Sequence, residues 1–347
     1  MKAMVLTGIN RMELVEQDAS RIESDSDVLI RLEAAGVCGS DIHYYETGRI
    51  GSQIVEYPFR VGHECSGIVE AVGDGVGRVS PGDRVAVDPA MPCYACDQCL
   101  EGRHHTCRNL RFLGTPGQAG GCLCEYIVVP EKSCFKAPAL SADQAAVVEP
   151  LSIGVYAVKK SICMPGARIG ILGSGPIGLC VMLPAIEQGA ARVYVTDKID
   201  NRCTLAHSLG AYWTGNAADT DIVAAIADQE PGGLDAVFEC CGDQGALDQA
   251  VALLKPGGKL IIVGIPRTEL VSFSIDRLRR KEITIQNIRR QVDCVELSCA
   301  LIAEKKVNVD PLITHHFAFE RAVEAFELVK EYREGVVKAV ISFTKKG

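Results

Sequence analysis

Ile169 to Ile186, IGILGSGPIGLCVMLPAI, is a run of eighteen residues without a charge. A run that long and apolar has two physical outcomes. It crosses a membrane as one helix, or it is buried on all sides in a globular core. Four glycines and two prolines inside it argue against the spanning helix. They divide it into a strand, a tight turn and a helix. The neighbouring segments extend that reading. ARIGILG, RVYVTD, DAVFECCG, KLIIVG and ITIQNI are near-continuous apolar runs. Helical patterns such as PIGLCVMLPAIEQGA and IDNRCTLAHSLGA separate them. Strands buried on both faces and interleaved with helices predict a parallel sheet, an α/β fold.

The turn carries more information than its flexibility. Gly173, Gly175 and Gly178 have the G-x-G-x-x-G spacing, preceded by a strand and followed by a helix. Asp197 ends the next strand, nineteen residues after Gly178. This is the context of a dinucleotide site. The glycines admit the turn, the pyrophosphate and the helix–strand packing, and the helix N-terminus stabilises phosphate charge. Asp197 would accept hydrogen bonds from the adenosine ribose. A carboxylate there repels a 2′-phosphate, so NAD is favoured over NADP, with Lys198 beside it acting the other way.

A chain of 347 residues has room for two domains. Before Leu151 the texture is different. MKAMVLT, DVLIRLEAAGV, CSGIVEAVG, DRVAVDP and CEYIVVP are short runs bounded by turn residues, which predicts a small β-rich domain. The tail reads as two amphipathic helices, VELSCALIAEKKVN and FERAVEAFELVKEY, and a last strand, VVKAVISF. The net charge is −8 and no basic block occurs, since Arg279-Arg280-Lys281 is too short. Neither nucleic acid nor a membrane is therefore expected as a partner. The N-terminus has no long apolar region of the signal-peptide type. A cytoplasmic location is expected, and the sixteen cysteines read as metal ligands or small buried residues rather than a disulfide frame.

PCYACDQCLEGRHHTC holds Cys93, Cys96, Cys99 and Cys107 in a C-x2-C-x2-C-x7-C spacing. Four thiolates so spaced can surround one tetrahedral zinc and leave no open position, so this zinc is structural. His104 and His105, inside the loop, are read as solvated or hydrogen-bonded. A second set is scattered: Cys38, Ser40, Asp41 and His43 in GVCGSDIHYYETGRIG, His63 and Glu64 in VGHECSG, and Glu149 in VVEPLS. No local spacing brings these together. Taken singly, Cys38 and His63 read as a buried thiol and a satisfied core histidine.

Those segments, with the four-cysteine loop and GSGPIG, resemble the zinc-dependent medium-chain dehydrogenases over essentially the whole chain. CGSDIHYYETGRIG, GHECSGIVEAVG and VVEPLSIGVYAV are most similar to the sorbitol (L-iditol, xylitol) branch. The resemblance implies a GroES-like β-rich catalytic domain of residues 1–152, completed by residues 291–347, and a Rossmann NAD-binding domain of residues 153–290. It implies two zinc ions per chain. Cys38 and His63 would hold the catalytic one, with Glu64 as the carboxylate ligand and Glu149 able to exchange in. One thiolate, one imidazole and one carboxylate leave an open position.

The implied reaction is oxidation of a secondary alcohol of a polyol to a ketose, with hydride passing to NAD, as in an L-iditol 2-dehydrogenase. Zinc acts as the Lewis acid. Ser40 and His43 resemble members of a proton relay, and Glu149 could take part as a base through water. Tyr44, Phe112 and Arg289 match positions lining the polyol pocket. Pro176, Ile177, Arg202, Val263 and Ile265 join Gly173, Gly175, Gly178 and Asp197 in the expected cofactor site. Arg290 departs from the pattern, standing where an aromatic is usual. Two adjacent arginines would suit an anionic substrate, so a sugar acid, a sugar phosphate or threonine remains the alternative. A non-catalytic NAD-binding sensor and a zinc-free quinone reductase are disfavoured, because neither needs Cys38, Ser40, His63, Glu64 and Glu149 together. A redox-sensing cysteine loop is chemically open. The resemblance also implies a homodimer or homotetramer through the Rossmann domain, with strands near KLIIVGI and ITIQNI as candidate sheet edges.

Overall fold

The computed structural model describes residues 1–266 and 268–343. They divide into two compact units, and the division falls inside the long helix Ala142–Lys160. The first unit comprises Met1–Glu149, Val295–Lys305 and the residues from Val309 onward. The second comprises Pro150–Cys294 and Lys306–Asn308.

The first unit is built on a seven-stranded sheet. Its order is Cys134–Lys136, Arg84–Val87, Glu64–Val72, Asp27–Gly36, Lys338–Ser342 and Ile313–Ala318, with Tyr126–Pro130 also paired to Asp27–Gly36. The strand Asp27–Gly36 shows why these residues form a sheet. Val28, Ile30, Leu32 and Ala34 are buried at every second position, the period of a pleated strand. The tail enters this sheet: Lys338–Ser342 pairs antiparallel with the end of Asp27–Gly36 and parallel with Ile313–Ala318. The helix Ala322–Lys330 packs its apolar face inward, with Phe326 fully buried and edge-on to Tyr45 at 5.6 Å. Burying one such aromatic is worth about 1.5–3 kcal/mol.

The second unit holds six parallel strands in the order Trp213–Asn216, Arg192–Asp197, Arg168–Leu172, Leu234–Glu239, Leu254–Ile262 and Thr284–Asn287. Numbered along the chain this is 3-2-1-4-5-6, the doubly wound order whose switch point lies beside Arg168–Leu172. The charge-free run is strand, turn and helix. The strand ends at Leu172, and the helix Pro176–Glu187 starts with proline at its first position. Among the described residues no helix is long and apolar enough to cross a membrane.

One edge expectation needs correction. Leu254–Ile262, which ends within KLIIVGI, is an interior strand, because Thr284–Asn287 pairs along its outer side. Thr284–Asn287 is the edge. Its four residues are exposed or half-buried, as an edge strand allows.

Candidate functional site

Cys38 is the N-cap of the helix Gly39–Thr47, in extended conformation. Asp41, three residues on, accepts a hydrogen bond from the Cys38 N–H at 3.1 Å, closing a capping box. The other Asp41 oxygen accepts from the Gly62 N–H at 3.1 Å and lies 3.3 Å from His63 Nδ1. One buried carboxylate thus fixes both segments. The Ser40 hydroxyl donates to Cys38 Sγ at 3.3 Å. His43, one turn along the same helix, is half-buried.

His63 enters the strand Glu64–Val72 and is buried against the Phe112 ring, 5.4 Å away. Burial alone would lower its pKa. The charges of Asp41 and Cys38 outweigh that and hold it well above the usual histidine value. The negative field that holds a proton here also favours a metal cation, which must displace that proton from the ring. The ligand atoms of Cys38, His63 and Glu64 all lie within 4.8 Å of one another. Thiolate, imidazole and carboxylate at that spacing fit a zinc ion with one coordination position left open.

Glu149 stands in the helix Ala142–Lys160 and is buried, but it is outside that 4.8 Å grouping. Burial first, then the charges of Glu64 and Asp88, push its pKa up to about 7, while His63 and Lys338 oppose the rise. Glu64 receives both of its oxygens' hydrogen bonds from Lys338 Nζ, at 2.7 and 2.6 Å.

The four-cysteine loop forms a second centre. Cys93, Cys96, Cys99 and Cys107 present sulfurs within 4.8 Å of one another. Cys107 Sγ lies 3.4 Å from Cys93 Sγ and 3.9 Å from Cys96 Sγ. A tetrahedral zinc with sulfurs at about 2.3 Å would set them about 3.8 Å apart. Backbone N–H groups of Ala95 and Cys96 bring the Cys93 thiol down to about 6, whereas burial pushes Cys99 up to about 12. Asp97 accepts a forked pair of bonds from Arg108 at 2.6 and 2.8 Å, which ties the loop's short helix to its end. His104 meets the Tyr94 ring edge-on at 5.0 Å. His105 is buried, 6% exposed, so the solvated alternative expected for it does not hold.

In the second unit the glycine turn is tightly built. A Cβ on Gly178 would stand 1.8 Å from the Gly173 carbonyl oxygen, so helix and turn can meet only there without a side chain. Asp197 ends its strand and is fully engaged. Its Oδ2 accepts from the Ser174 N–H at 2.8 Å and the Ser174 hydroxyl at 3.3 Å. Its Oδ1 accepts from the N–H groups of Lys198 at 2.8 Å and Ile199 at 3.0 Å. Arg202 is buried with its guanidinium over Gly175. Pro176 and Ile177 open the helix, and Val263 and Ile265 follow the strand Leu254–Ile262.

The expected pocket residues are placed as follows. Tyr44 and Phe112, both in the first unit, are buried, and the Tyr44 hydroxyl donates to Gln53 Oε1 at 3.0 Å. Arg289 and Arg290 belong to the second unit; Arg289 is exposed, and Arg290 is half-buried with φ of 54°. Of two further residues at the first centre, the sequence reading named Asp41 in the scattered set without assigning it a task, and it did not name Lys338. Asp41 had a local signal, an acid three residues after an N-cap. Lys338 had a fainter one, a single charge inside the apolar strand VVKAVISF.

Comparison with known proteins accords with this geometry. The profile of the alcohol dehydrogenase GroES-like domain matches residues 24–139, and that of the zinc-binding dehydrogenases matches residues 176–303. Together they define a class, alcohol dehydrogenases with a GroES-like domain. A sorbitol dehydrogenase of Bacillus subtilis is 34% identical over 98% of this chain and 97% of its own. An L-idonate 5-dehydrogenase of Vitis vinifera is 37% identical over 87% of this chain and 84% of its own. The crystal structure of an Escherichia coli oxidoreductase/dehydrogenase of unknown specificity superposes with a TM-score of 0.94 at 30% identity, covering 99% of each chain. The chain belongs to the zinc-dependent medium-chain dehydrogenase family.

Proposed function

We propose that this chain oxidises a secondary hydroxyl of a free polyol of the sorbitol, xylitol or L-iditol type to a ketose, with NAD as hydride acceptor. The observation carrying it is the convergence of Cys38, His63 and Glu64 within 4.8 Å, together with the Asp197-anchored glycine turn. A zinc ion held by those three residues would supply Lewis acidity toward an alcohol, and NAD held at the glycine turn would supply the hydride acceptor.

The chain's own residues do the rest. Asp41 orients the His63 ring and leaves its Nε2 for the metal. The Ser40 hydroxyl, held at Cys38, is the first carrier for the departing proton, and His43 on the same helix is the next. Tyr44 and Phe112 line the substrate side of the first unit, and Arg289 hydrogen-bonds further hydroxyls in fork geometry. Glu149 holds a water or a substrate hydroxyl and can exchange with Glu64. Asp197 selects NAD by its charge. Cys93, Cys96, Cys99 and Cys107 hold a second, structural zinc. Residues 1–152 with 291–347 form the catalytic domain and residues 153–290 the cofactor domain, working as a cytoplasmic homodimer or homotetramer.

A second reading, an anionic sugar derivative as substrate, is favoured by the adjacent Arg289 and Arg290. The similarity to a protein named L-idonate 5-dehydrogenase supports it too. Absorbance of NADH, followed with sorbitol, xylitol, L-iditol, threonine, sugar acids and sugar phosphates, separates the two. Metal content is measured on the same sample. Turnover of free polyols at two zinc ions per chain is the expected result. Turnover of anionic substrates alone would replace it with the second reading.

A further inference from the structure

The tail strand Lys338–Ser342 carries a lysine into the core of the first unit. Lys338 is 2% exposed, as buried as the apolar residues after it. A buried ammonium is costly unless it is paired and hydrogen-bonded. Its Nζ donates to Glu64 Oε1 at 2.7 Å, to Glu64 Oε2 at 2.6 Å and to the Val37 carbonyl at 3.1 Å. Val37 directly precedes Cys38. Strand register explains the meeting. Gly36 is opposite Glu64 on one side and opposite Val340 on the other. A Cβ on Gly36 would stand 2.1 Å from Glu64 Oε2, so that position is open only because it is glycine. The Glu64 carboxylate is seated over Gly36, capped by the ammonium, with the Cys38 and His63 ligand atoms within 4.8 Å of it.

We propose that Lys338 is a positioning residue that competes with the metal ion for Glu64, making that carboxylate a shared and releasable ligand. The inference rests on the functional reading above. The ammonium draws on both carboxylate oxygens and adds a like charge near any divalent ion bound there. Its sign separates it from an ordinary outer partner. A hydrogen-bonding group that orients a ligand tightens the metal, and its loss loosens it. A cation seated on the ligand does the opposite, so its removal tightens the metal.

The test uses the metal-loaded full chain, with cobalt as a visible probe. Chelator-driven release from the Cys38 site is timed by the loss of its one-thiolate cobalt spectrum. In Lys338→Met, release is expected to slow by about tenfold, the scale of outer-partner effects, with a shifted cobalt spectrum. Lys338→Arg, which keeps the charge, should restore the wild-type rate. Glu64→Gln in the Lys338→Met background should abolish the slowing. Unchanged or faster release in Lys338→Met, with the metal present, overturns this inference alone. If Lys338→Met does not fold, a crystal structure of the zinc-loaded wild type decides. Glu64 touching both the metal and Nζ supports the proposal, whereas Glu64 on Nζ without the metal, or on the metal without Nζ, sinks it. A wild type that holds no metal at Cys38 overturns the functional reading as well.

Discussion

The Oδ1 of Asp41 lies 3.3 Å from Nδ1 of His63, and both side chains are buried. Since Asp41 also accepts the N–H of Cys38 at 3.1 Å, it couples two proposed metal ligands that are 25 positions apart in the sequence. Asp41→Asn keeps the shape but removes the charge that favours a cation at His63. Metal affinity at this centre is expected to fall about 10–100-fold. Competition with a chelator measures it. Wild-type retention in Asp41→Asn would show that the ring needs no carboxylate to hold it.

The two candidate centres should separate by mutation. Cys96→Ser removes one of four clustered sulfurs. It should lose one zinc per chain and lower the unfolding temperature, because metal binding in such a loop is folding free energy. Glu64→Gln should keep the zinc of the four-cysteine loop and lose turnover, with a lower unfolding temperature of its own, because it leaves the buried Lys338 ammonium without its carboxylate. Metal analysis beside thermal unfolding and NADH formation reads all three. Full turnover in Glu64→Gln would remove Glu64 from the required ligands.

Features built from nearby residues were legible in the sequence, and those built by long-range register were not. The glycine turn, its helix and Asp197 span 25 residues, and the four cysteines span 15, so spacing alone described both. The Lys338–Glu64 pair joins residues 274 positions apart through two strand registers, which no local pattern records. The strands Trp213–Asn216 and Ile313–Ala318 escaped for another reason. Their burial is partial, so the apolar signal that marks a strand is weak in both. Likewise KLIIVGI and ITIQNI look alike as apolar runs, and only pairing shows which lies at the edge.

Asp197 supports a prediction on cofactor choice. Its carboxylate accepts four hydrogen bonds, from Ser174 N–H, Ser174 Oγ–H, Lys198 N–H and Ile199 N–H. It therefore shapes the turn, and on the proposed function its charge also repels a 2′-phosphate. Asp197→Asn removes the repulsion and puts an amide donor where only donors point. The KM for NAD should rise, and the preference for NAD over NADP should fall by about tenfold, equivalent to about 1.4 kcal/mol. Steady-state kinetics with both cofactors measure it. An unchanged preference would mean that another group excludes the phosphate.

Tyr45 and Glu327 support a prediction on acid stability. The Tyr45 hydroxyl donates to Glu327 Oε1 at 2.5 Å, joining the helix Gly39–Thr47 to Ala322–Lys330. The bond from Tyr45, helped by Lys330, holds the Glu327 pKa below the usual carboxylate value. Burial and the same bond raise the Tyr45 pKa. A hydrogen bond to a charged group is worth about 2 kcal/mol, so Tyr45→Phe should cost about that much at neutral pH. Because the folded pKa of Glu327 is depressed, its contribution is complete above the unfolded carboxylate pKa. It is lost as pH falls through the lower folded value. The stability gap between wild type and Tyr45→Phe should therefore be constant near neutrality and narrow on acidification. Denaturant unfolding at a series of pH values measures the gap. A gap that widens in acid would show that the bond serves a neutral Glu327, and that some other contact depresses its pKa.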